Sequence, residues 1–380
     1  MKRLIYYTSR DMTDAELGIN KKINEQIQNF RKAGFSVDAF YRKQDNQLIC
    51  QRGREVVVKA GMQRPYKVAA SKYLKEYIKS RKYDGAYIRY VYGDRQFYRL
   101  LKYLKKQNIV TVIEVPTYPY DRELMDGLEN KIVLFLDKCY RNRMHRYVDR
   151  IVTFSRDKEI FGIKTIRTMN GINFEKIKPI SGEDPYDGKV NMIAVADLAR
   201  WHGYDRILEG IGQYYQQGGK REVAFHLAGN GPELEEYKRI IEKWHIENHV
   251  ILYGQKFGEE LDQIYEKCNV AAESFGRHRS GHNYSTSLKS KEYVAKGLPV
   301  VASSEIDLFS SNVSFYFEQF PADDSPVDIE KVISFCDRIY GEKSRKEVIE
   351  DIRKRTMGIC DYKIVMKPII RYFDEKIKKE

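Results

Sequence analysis

Residues 273–301 read ESFGRHRSGHNYSTSLKSKEYVAKGLPVV. This segment leaves a short apolar strand, crosses a loop of small polar residues, enters a helix near Leu288 and returns through Gly297-Leu298-Pro299 to a second strand. Parallel β-sheets are built from this order of strand, helix and strand. The segment therefore predicts an α/β fold of the doubly wound type.

The same alternation extends over the rest of the chain in two series. The first series predicts strands at 3–8, 35–41, 85–90, 109–115 and 150–154, helices at 20–33, 66–81, 95–106 and 122–147, and an extra hairpin over 46–59. The second predicts strands at 190–196, 222–228, 250–253, 270–274 and 299–303, and helices at 204–217, 233–245, 259–267 and 288–296. Two series of similar size predict two Rossmann-like domains.

A stretch rich in Pro and Gly, residues 178–188, separates the two series and is the best candidate for a linker. We therefore expect an N-terminal domain over 1–180 and a C-terminal domain over 181–360. The tail, 361–380, has a helix-like apolar pattern over 362–378. A length of 380 residues, at roughly 150 per domain, allows two to three domains.

Positive charge is concentrated in the first half of the chain. Residues 1–180 contain 38 Lys and Arg against 20 Asp and Glu, whereas 181–380 contain 29 against 34. An anionic partner of the first half is expected, and an anionic bilayer is favoured because basic and aromatic residues alternate over 66–82. A second basic cluster contains Arg141, Arg143, Arg146 and Arg150. Solvated helix faces are the alternative for both segments.

Composition and patterning exclude several classes of protein. An apolar content of 42% with 13% aromatic residues is enough for globular cores. No uninterrupted apolar run approaches the length of a membrane-spanning helix, and Met1-Lys2-Arg3 leads into a strand too short for a signal peptide. The five cysteines lack paired spacing, which favours free thiols in a reducing cytoplasm.

Two loops after strands of the second series carry polar groups at the edge where such sheets bind ligands. Gly229-Asn230-Gly231-Pro232-Glu233 opens a helix, so its N–H groups suit a phosphate, although a plain strand-to-helix turn explains the glycines equally well. Residues 196–203 gather Asp197, Arg200, Trp201 and His202. The alternative for this second loop is a solvated turn in which Trp201 covers the edge of the core.

The helix predicted at 288–296 begins with groups that suit a diphosphate. Ser285, Thr286 and Ser287 offer hydroxyls, the helix N-terminus offers free N–H groups, and Lys289 offers a charge. Glu292, one turn further, is placed to accept hydrogen bonds from ribose hydroxyls. The alternative is that the serines are N-caps and Glu292 a surface acid.

On the first domain, residues 113–123 follow a buried strand and present Glu114, Thr117, Tyr118 and Tyr120. Aromatic rings stack on sugar faces and carboxylates bind sugar hydroxyls, so these residues suit a sugar. A turn made rigid by proline is the alternative.

Taken together, these motifs resemble the retaining glycosyltransferases of family 4, which have the two-domain GT-B fold, and in particular a branch that makes capsular and surface polysaccharides. The resemblance covers essentially the whole chain. It rests on the order and spacing of the Gly18 loop, Asn170-Gly171-Ile172, residues 201–206, residues 229–233 and residues 288–300.

The resemblance implies an acceptor in the first domain, a sugar nucleotide in the second, catalysis in the cleft between them, and a C-terminal helix that crosses back to the first domain. The expected acceptor ligands are Glu114, Thr117, Tyr118 and Tyr120. It implies transfer of a hexose from a nucleoside-diphosphate sugar, UDP first and GDP second, to a polyprenyl-diphosphate-linked or glycan acceptor at the inner face of the cell membrane. It implies no cofactor, and the sequence shows no acidic pair with convincing metal spacing. Arg200, His202 and Lys289 are the expected catalytic residues. The expected donor ligands are Gly18, Asp197, Gly229, Gly231, Tyr253, Gln255, Arg277, His278, Arg279, Ser287, Leu288 and Glu292.

The sequence departs from the family pattern at the diphosphate site. The family signature has two glutamates eight positions apart; Glu292 matches the second, but Tyr284 stands at the first, and Glu273 lies too far away to replace it. The Arg and Lys that usually hold the diphosphate correspond to Asp197 and His202. We expect Arg200, Lys289 or the cluster 277–279 to compensate.

Two other functions remain open at this point. A soluble nucleotide-sugar epimerase or a phosphorylase can share the fold, but would gain nothing from a basic first domain. A nucleic-acid-binding module would use the basic half, yet the chain has no recognised nucleic-acid motif.

Overall fold

The computed structural model describes residues 1–15, 17–90, 92–121, 127–281, 284–309 and 313–377. The chain divides into two compact units: unit 1 consists of Met1–Met169 and Tyr362–Glu380, and unit 2 of Asn170–Asp361. Each contains a largely parallel sheet, so the prediction of two doubly wound α/β bodies is confirmed. The chain enters unit 2 at Asn170, earlier than the expected residue 181.

Unit 1 is built on a sheet with the strand order β4-β3-β2-β1-β5-β6-β7-β9-β8 among the described residues. Its strands are β1 (Arg3–Asp11), β2 (Ser36–Lys43), β3 (Gln47–Arg52), β4 (Arg54–Lys59), β5 (Gly85–Arg89), β6 (Val110–Val115), β7 (Arg150–Thr153), β8 (Glu159–Ile160) and β9 (Ile163–Arg167). Its first helices are α1 (Gly18–Lys32), α2 (Tyr66–Ile78), α3 (Arg95–Lys106) and α4 (Leu128–Arg141). The beginning of the helix predicted at 122–147 lies outside the described residues, which resume at 127.

Both faces of this sheet are buried, as expected for a parallel sheet with helices on both sides. Side chains alternate along β1, so that Leu4 and Tyr6 belong to one apolar cluster and Ile5 and Tyr7 to the other. β1 pairs in parallel with β2 and β5. The hairpin of β3 and β4 extends the sheet antiparallel to β2.

Unit 2 contains the parallel order β12-β11-β10-β13-β15-β17 and a small sheet of β14 and β16. Its strands are β10 (Val190–Val195), β11 (Val223–Ala228), β12 (Val250–Gly254), β13 (Val270–Ala272), β14 (Tyr284–Ser285), β15 (Val300–Ala302), β16 (Glu305–Ile306) and β17 (Phe317–Gln319). Its helices are α5 (Asp205–Gln216), α6 (Leu234–Trp244), α7 (Gly258–Glu266), α8 (Leu288–Lys296), α9 (Ile329–Glu342) and α10 (Arg345–Cys360). The sequence analysis did not predict α9, α10 or β17.

The segment expected to be a linker is docked on unit 2. Ile180 is buried and its N–H donates to the carbonyl of Lys296 at 3.1 Å. The N–H of Ser181 donates to the carboxylate of Glu266 at 2.9 Å. The linker prediction is therefore wrong, because the Pro- and Gly-rich backbone of 178–188 finds its hydrogen-bond partners within unit 2.

The tail forms two helices, α11 (Tyr362–Val365) and α12 (Lys367–Lys376), in place of the single predicted pattern. Pro368 lies in the first turn of α12, where its missing N–H costs nothing. Phe373 packs against Phe30 and Phe35 with ring centroids 5.8 and 6.3 Å apart, so the tail completes one core of unit 1. No helix among the described residues is long and apolar enough to cross a bilayer.

Candidate functional site

The loops that follow β10 and β13 in unit 2 run against each other, backbone to backbone. The N–H of Phe275 donates to the carbonyl of His202 at 2.7 Å. A Cβ atom on Gly203 would overlap the backbone nitrogen of Gly276, so a larger residue at this position would force the loops apart. This contact brings His202 and Lys289, which are distant in sequence, into one cluster.

His202 is a neutral hydrogen-bond donor in this cluster. Burial, together with the nearby charges of Lys289 and Arg277, lowers the pKa of His202 to about 2, and a hydrogen bond with the backbone of Asp197 opposes this shift. Its ring stacks on Tyr204 at 5.6 Å, and its Nδ1 accepts the N–H of Ala199 at 3.3 Å. Because Nδ1 accepts, Nε2 carries the proton of the neutral ring.

Lys289 lies in the first turn of α8. Its ammonium donates to Ser274 Oγ at 3.2 Å and to the Tyr204 hydroxyl at 3.3 Å. Burial lowers the pKa of Lys289 to about 8, while the carboxylate of Glu273 opposes this shift. Ser287 caps the helix by accepting the N–H of Ser290 at 3.2 Å, and helix geometry leaves the N–H groups of the first turn without intrahelical acceptors.

Glu273 is a member of this cluster that the sequence analysis set aside. It is fully buried at the end of β13, and one carboxylate oxygen accepts the N–H of Ser274 at 2.6 Å. Its Oε1 accepts no hydrogen bond from the described residues. Although burial opposes ionisation, Lys289 and Arg277 hold the pKa of Glu273 below its usual value. Its position directly after an apolar strand was the only signal in the sequence.

The basic residues 277–279 have different surroundings. Arg279 donates to both oxygens of Asp205, at 2.9 and 2.7 Å, and to Asp324 at 2.7 Å. His278 Nε2 contacts the same Asp324 at 3.1 Å. These carboxylates neutralise Arg279, so the expectation that it serves as an anion ligand is not supported. Arg277 is the member of the cluster whose charge acts on both His202 and Lys289.

The expected phosphate loop 229–233 already uses its glycine N–H groups. The N–H of Gly229 donates to Gly254 at 2.7 Å, and that of Gly231 to the side chain of Asn230 at 2.8 Å. A Cβ on Gly229 would overlap the carbonyl oxygen of Ala196. The alternative of a plain strand-to-helix turn explains these glycines, because they let two loops approach closely.

The other expected donor residues of unit 2 lie on exposed or partly buried positions. Asp197 and Arg200 are exposed, and Trp201 is 46% exposed, so Trp201 does not cover the core edge. Glu292, one turn after Lys289, is half-buried and accepts the Tyr265 hydroxyl at 3.4 Å. Tyr253 is half-buried with its hydroxyl 2.9 Å from His226 Nδ1, and Gln255 is exposed. Leu288 begins α8.

In unit 1, the expected acceptor residue Glu114 is a structural charge. It is fully buried and contacts the Lys22 ammonium at 3.1 Å, the Gln26 amide at 2.6 Å, the Tyr87 hydroxyl at 2.6 Å and the Arg89 guanidinium. Burial would raise its pKa, but Lys22 and Arg89 lower the pKa of Glu114 to about 2. Its oxygens are occupied by the chain's own donors, which contradicts a role in binding sugar hydroxyls.

Tyr120 is also engaged in the fold, since its hydroxyl donates to the buried Asp137 at 2.6 Å. Thr117 is exposed and Tyr118 half-buried. Gly18 is the exposed first residue of α1.

A cavity of about 600 Å³ lies at the carboxyl ends of β1, β5 and β6. Thr117 and Tyr120 line it, together with three arginines that the sequence analysis missed: Arg10, Arg42 and Arg89. Among the described residues, no group of His, Cys, Asp and Glu has the composition of a metal site.

Comparison with known proteins gives a class for this fold and site. Residues 189–311 match the family model "Glycosyl transferases group 1", and this span contains the loops and α8 described above. No curated protein matches the sequence.

Solved structures match over nearly the whole chain. A sucrose-phosphate synthase from Thermosynechococcus elongatus has 15% identity and a TM-score of 0.69, with 99% of each chain covered. HepE from Anabaena in complex with UDP has 12% identity and a TM-score of 0.65, covering 99% of this chain and 100% of HepE. The lipopolysaccharide outer core galactosyltransferase WaaB has 13% identity and a TM-score of 0.56, covering 99% and 100%.

The fold is GT-B, as the sequence predicted. The resemblance to GT-B glycosyltransferases is confirmed, and the family model together with the fold supports a glycosyltransferase.

Proposed function

We propose that the chain is a retaining, metal-independent glycosyltransferase of family 4 that moves a hexose from a UDP-sugar to a polyprenyl-diphosphate-linked or glycan acceptor in surface polysaccharide synthesis, at the inner face of the cell membrane. The observation that carries the proposal is the cluster at the N-terminus of α8, in which two cations, Lys289 and Arg277, lie near the neutral His202.

The reaction needs such a cluster because breaking the sugar–diphosphate bond leaves negative charge on the diphosphate. Lys289, Arg277, the Nε2–H of His202 and the first N–H groups of α8 would stabilise that charge. These groups supply what a divalent cation supplies in other transferases, which supports metal independence. For retention, the acceptor hydroxyl would attack from the face that the diphosphate leaves, and its proton would pass to the departing phosphate oxygen, so we name no protein nucleophile.

The choice of UDP rests on likeness alone. The solved HepE structures contain UDP, UDP with glucose, and UDP-glucose. On the acceptor side, Arg10 lines the cavity of unit 1 and would suit the diphosphate of a lipid-linked acceptor, whereas Arg42 in the same cavity pairs with Asp11 at 3.2 Å.

A thermal-shift panel tests the proposal directly. UDP should raise the midpoint of unfolding more than GDP or ADP at equal concentration, because binding to the folded state stabilises it. Short DNA and RNA oligonucleotides should have no effect. Stabilisation by oligonucleotides and by no nucleoside diphosphate would overturn the proposal in favour of a nucleic-acid-binding protein.

Glu292 should discriminate between ribose and deoxyribose. Wild type should bind UDP at least about tenfold more tightly than its 2′-deoxy or 3′-deoxy form, since a carboxylate left without its hydroxyl partner loses about 1.5–3 kcal/mol. Glu292→Ala should bind UDP and its deoxy forms equally, as measured by calorimetry. Glu235→Ala on α6 is the matched control, because Glu235 is an exposed helix acid paired with Lys238. If Glu292→Ala still bound UDP as much more tightly than its deoxy forms as wild type does, Glu292 would not belong to the donor site.

The affinity for UDP should fall as the pH rises through about 8. The pKa of Lys289 is lowered to about 8, mainly by burial, so its ammonium is charged below that pH and neutral above it. Calorimetric titrations from about pH 7 to about pH 9.5 should show this decline in wild type. Lys289→Arg should bind UDP without the decline, because a guanidinium stays charged throughout. The same decline in both proteins would assign it to another group.

A further inference from the structure

The loop after β10, residues 196–203, presents one aromatic and two charged side chains to solvent. Trp201 is 46% exposed, and Asp197 and Arg200 are exposed as well. Among the described residues, none forms an ion pair or a hydrogen bond with the side chain of Asp197 or Arg200, and none accepts a hydrogen bond from the indole N–H of Trp201. These three side chains are therefore free to contact a ligand.

The backbone holds Trp201 in this exposed position. On one side, the carbonyl of Arg200 accepts a hydrogen bond from the guanidinium of Arg279 at 3.2 Å. On the other side, the carbonyl of His202 accepts the N–H of Phe275 at 2.7 Å. An indole kept in water forgoes the free energy of its burial, and a fixed loop lowers the entropy cost of binding. An exposed indole on a fixed backbone therefore indicates a contact surface.

The loop borders the groups that the proposed function assigns to the diphosphate. The ring centroids of Trp201 and His202 are 6.0 Å apart. Burial lowers the pKa of Lys289, and the carboxylates of Glu273 and Asp197 oppose this shift, so Asp197 lies within electrostatic range of the ammonium. A carboxylate repels a phosphate and accepts hydrogen bonds from hydroxyl groups. Asp197 therefore suits a neutral, hydroxylated ligand beside the diphosphate.

A sugar ring fits the chemistry of these three side chains. One face of a pyranose is lined with C–H groups, which pack on an aromatic ring such as the indole of Trp201. The hydroxyls at its edge both donate and accept hydrogen bonds, so they match the carboxylate of Asp197 and the guanidinium of Arg200. A polyprenyl chain would leave both charges without a partner, and a phosphate would be repelled by Asp197.

We propose that Trp201, Asp197 and Arg200 bind a sugar ring of the acceptor, so that the hydroxyl which receives the hexose belongs to a sugar and not to a lipid phosphate. The inference rests on the proposed function, because retention requires the acceptor hydroxyl to approach from the face that the diphosphate leaves. The acceptor ring then lies next to the diphosphate, where this loop is. Asp197 and Arg200 are thereby assigned to the acceptor, instead of the donor and catalytic roles expected from the sequence.

Tryptophan fluorescence tests the proposal, because the chain has only two tryptophans. The other, Trp244, donates its indole N–H to Glu209 at 2.6 Å on the far side of α5 from the loop's own sequence, so Trp244→Phe leaves Trp201 as the sole reporter. This protein is titrated, with and without UDP, with the methyl glycosides of glucose, galactose, mannose and N-acetylglucosamine, and with farnesyl diphosphate, which has no sugar. At least one glycoside should shift the emission to shorter wavelength in a saturable way, and farnesyl diphosphate should not.

Variants separate stacking from simple apolar contact. Trp201→Leu should bind the responsive glycoside about three- to tenfold more weakly in ligand-observed NMR titrations, whereas Trp201→Phe should keep most of the affinity, because it keeps an aromatic ring. Phe257→Leu is the matched control, since Phe257 is also 46% exposed in unit 2, and it should bind the glycoside as wild type does. The affinity for UDP should be unchanged in all three variants, which a general loss of structure would not allow.

Three results would overturn the proposal. The first is an emission of Trp201 that responds to no glycoside. The second is a response to UDP alone with none to the glycosides, which would assign the indole to the base. The third is equal glycoside binding by wild type and Trp201→Leu.

The UDP titration separates this inference from the proposed function. Binding of UDP by a protein whose Trp201 ignores every glycoside would leave the transferase and refute the acceptor site. A glycoside response in a protein that binds no nucleoside diphosphate would leave a sugar site at Trp201 and refute the transferase.

Discussion

Replacing Lys289 with alanine should lower kcat/KM for transfer from the UDP-sugar by about 100- to 1,000-fold, the usual cost of removing one preorganised donor to developing negative charge. The ammonium lies at the start of α8, beside His202 and Arg277, where the proposed function places the leaving diphosphate. The affinity for UDP should fall less than kcat/KM, because the charge grows as the bond breaks. Initial rates of UDP release and calorimetry with UDP give the two quantities.

A control is needed because Lys289 also neutralises the buried Glu273. The double variant Lys289→Ala/Glu273→Gln removes both charges, so it leaves no unpaired carboxylate in the site. It should fold as stably as wild type and remain as inactive as Lys289→Ala. Recovery of activity in the double variant would show that Lys289 acts only on Glu273, which would contradict the proposed contact with the diphosphate. Lys238→Ala, an exposed lysine of α6, should behave as wild type.

Replacing Glu114 with alanine should destabilise unit 1 by about 3–5 kcal/mol, the cost of breaking a buried ion pair. Lys22 and Arg89 would lose the carboxylate that compensates their charges, and Gln26 and Tyr87 would lose their acceptor. Urea unfolding, followed by circular dichroism, measures the free energy. Glu76→Ala is the control, since Glu76 pairs with Lys79 at the surface of α2 and exposed ion pairs contribute little to stability.

The stability of unit 1 should also depend on pH through the ionisation of Glu114. The pKa of Glu114 is lowered to about 2, below its value in an unfolded chain of about 4.3. The carboxylate therefore contributes its full stability above about pH 4.3, and this contribution is lost as the pH falls toward 2. Glu114→Gln should lose this part of the acid sensitivity. An alanine variant as stable as wild type but unable to use the acceptor would restore the sequence-based assignment of Glu114 to acceptor binding.

The sequence predicted those parts of the structure that depend on local periodicity. The strand-helix-strand order placed α8 at residues 288–296, the bounds that the structure shows, and thus Lys289 and Glu292 one turn apart. Contacts between distant segments were not predictable in this way. Glu273 was set aside on its spacing from Glu292, because only the folded loop brings it near Lys289.

Glu114 is a residue to which the sequence analysis gave a binding role that its contacts in the structure do not support. A carboxylate after a buried strand resembles a ligand group, and the sequence does not reveal which face of β6 it occupies. A signal was nevertheless present in α1, where Lys22 and Gln26 are spaced by four residues and so share a helix face. The sequence analysis likewise assigned Arg279 to anion binding from its charge alone. The sequence does not show that Asp205 and Asp324 neutralise this charge in the folded protein.

The division of unit 1 between the two ends of the chain determines the order in which the protein can be completed on the ribosome. Phe373 and Ile369 fill the same core as Phe30 and Phe35, yet the ribosome adds them after all of unit 2. The domain synthesised second is thus the first whose full sequence has emerged, and unit 1 keeps an open apolar face until α11 and α12 have been synthesised. A chaperone bound to the N-terminal part of the nascent chain would protect this apolar face from aggregation.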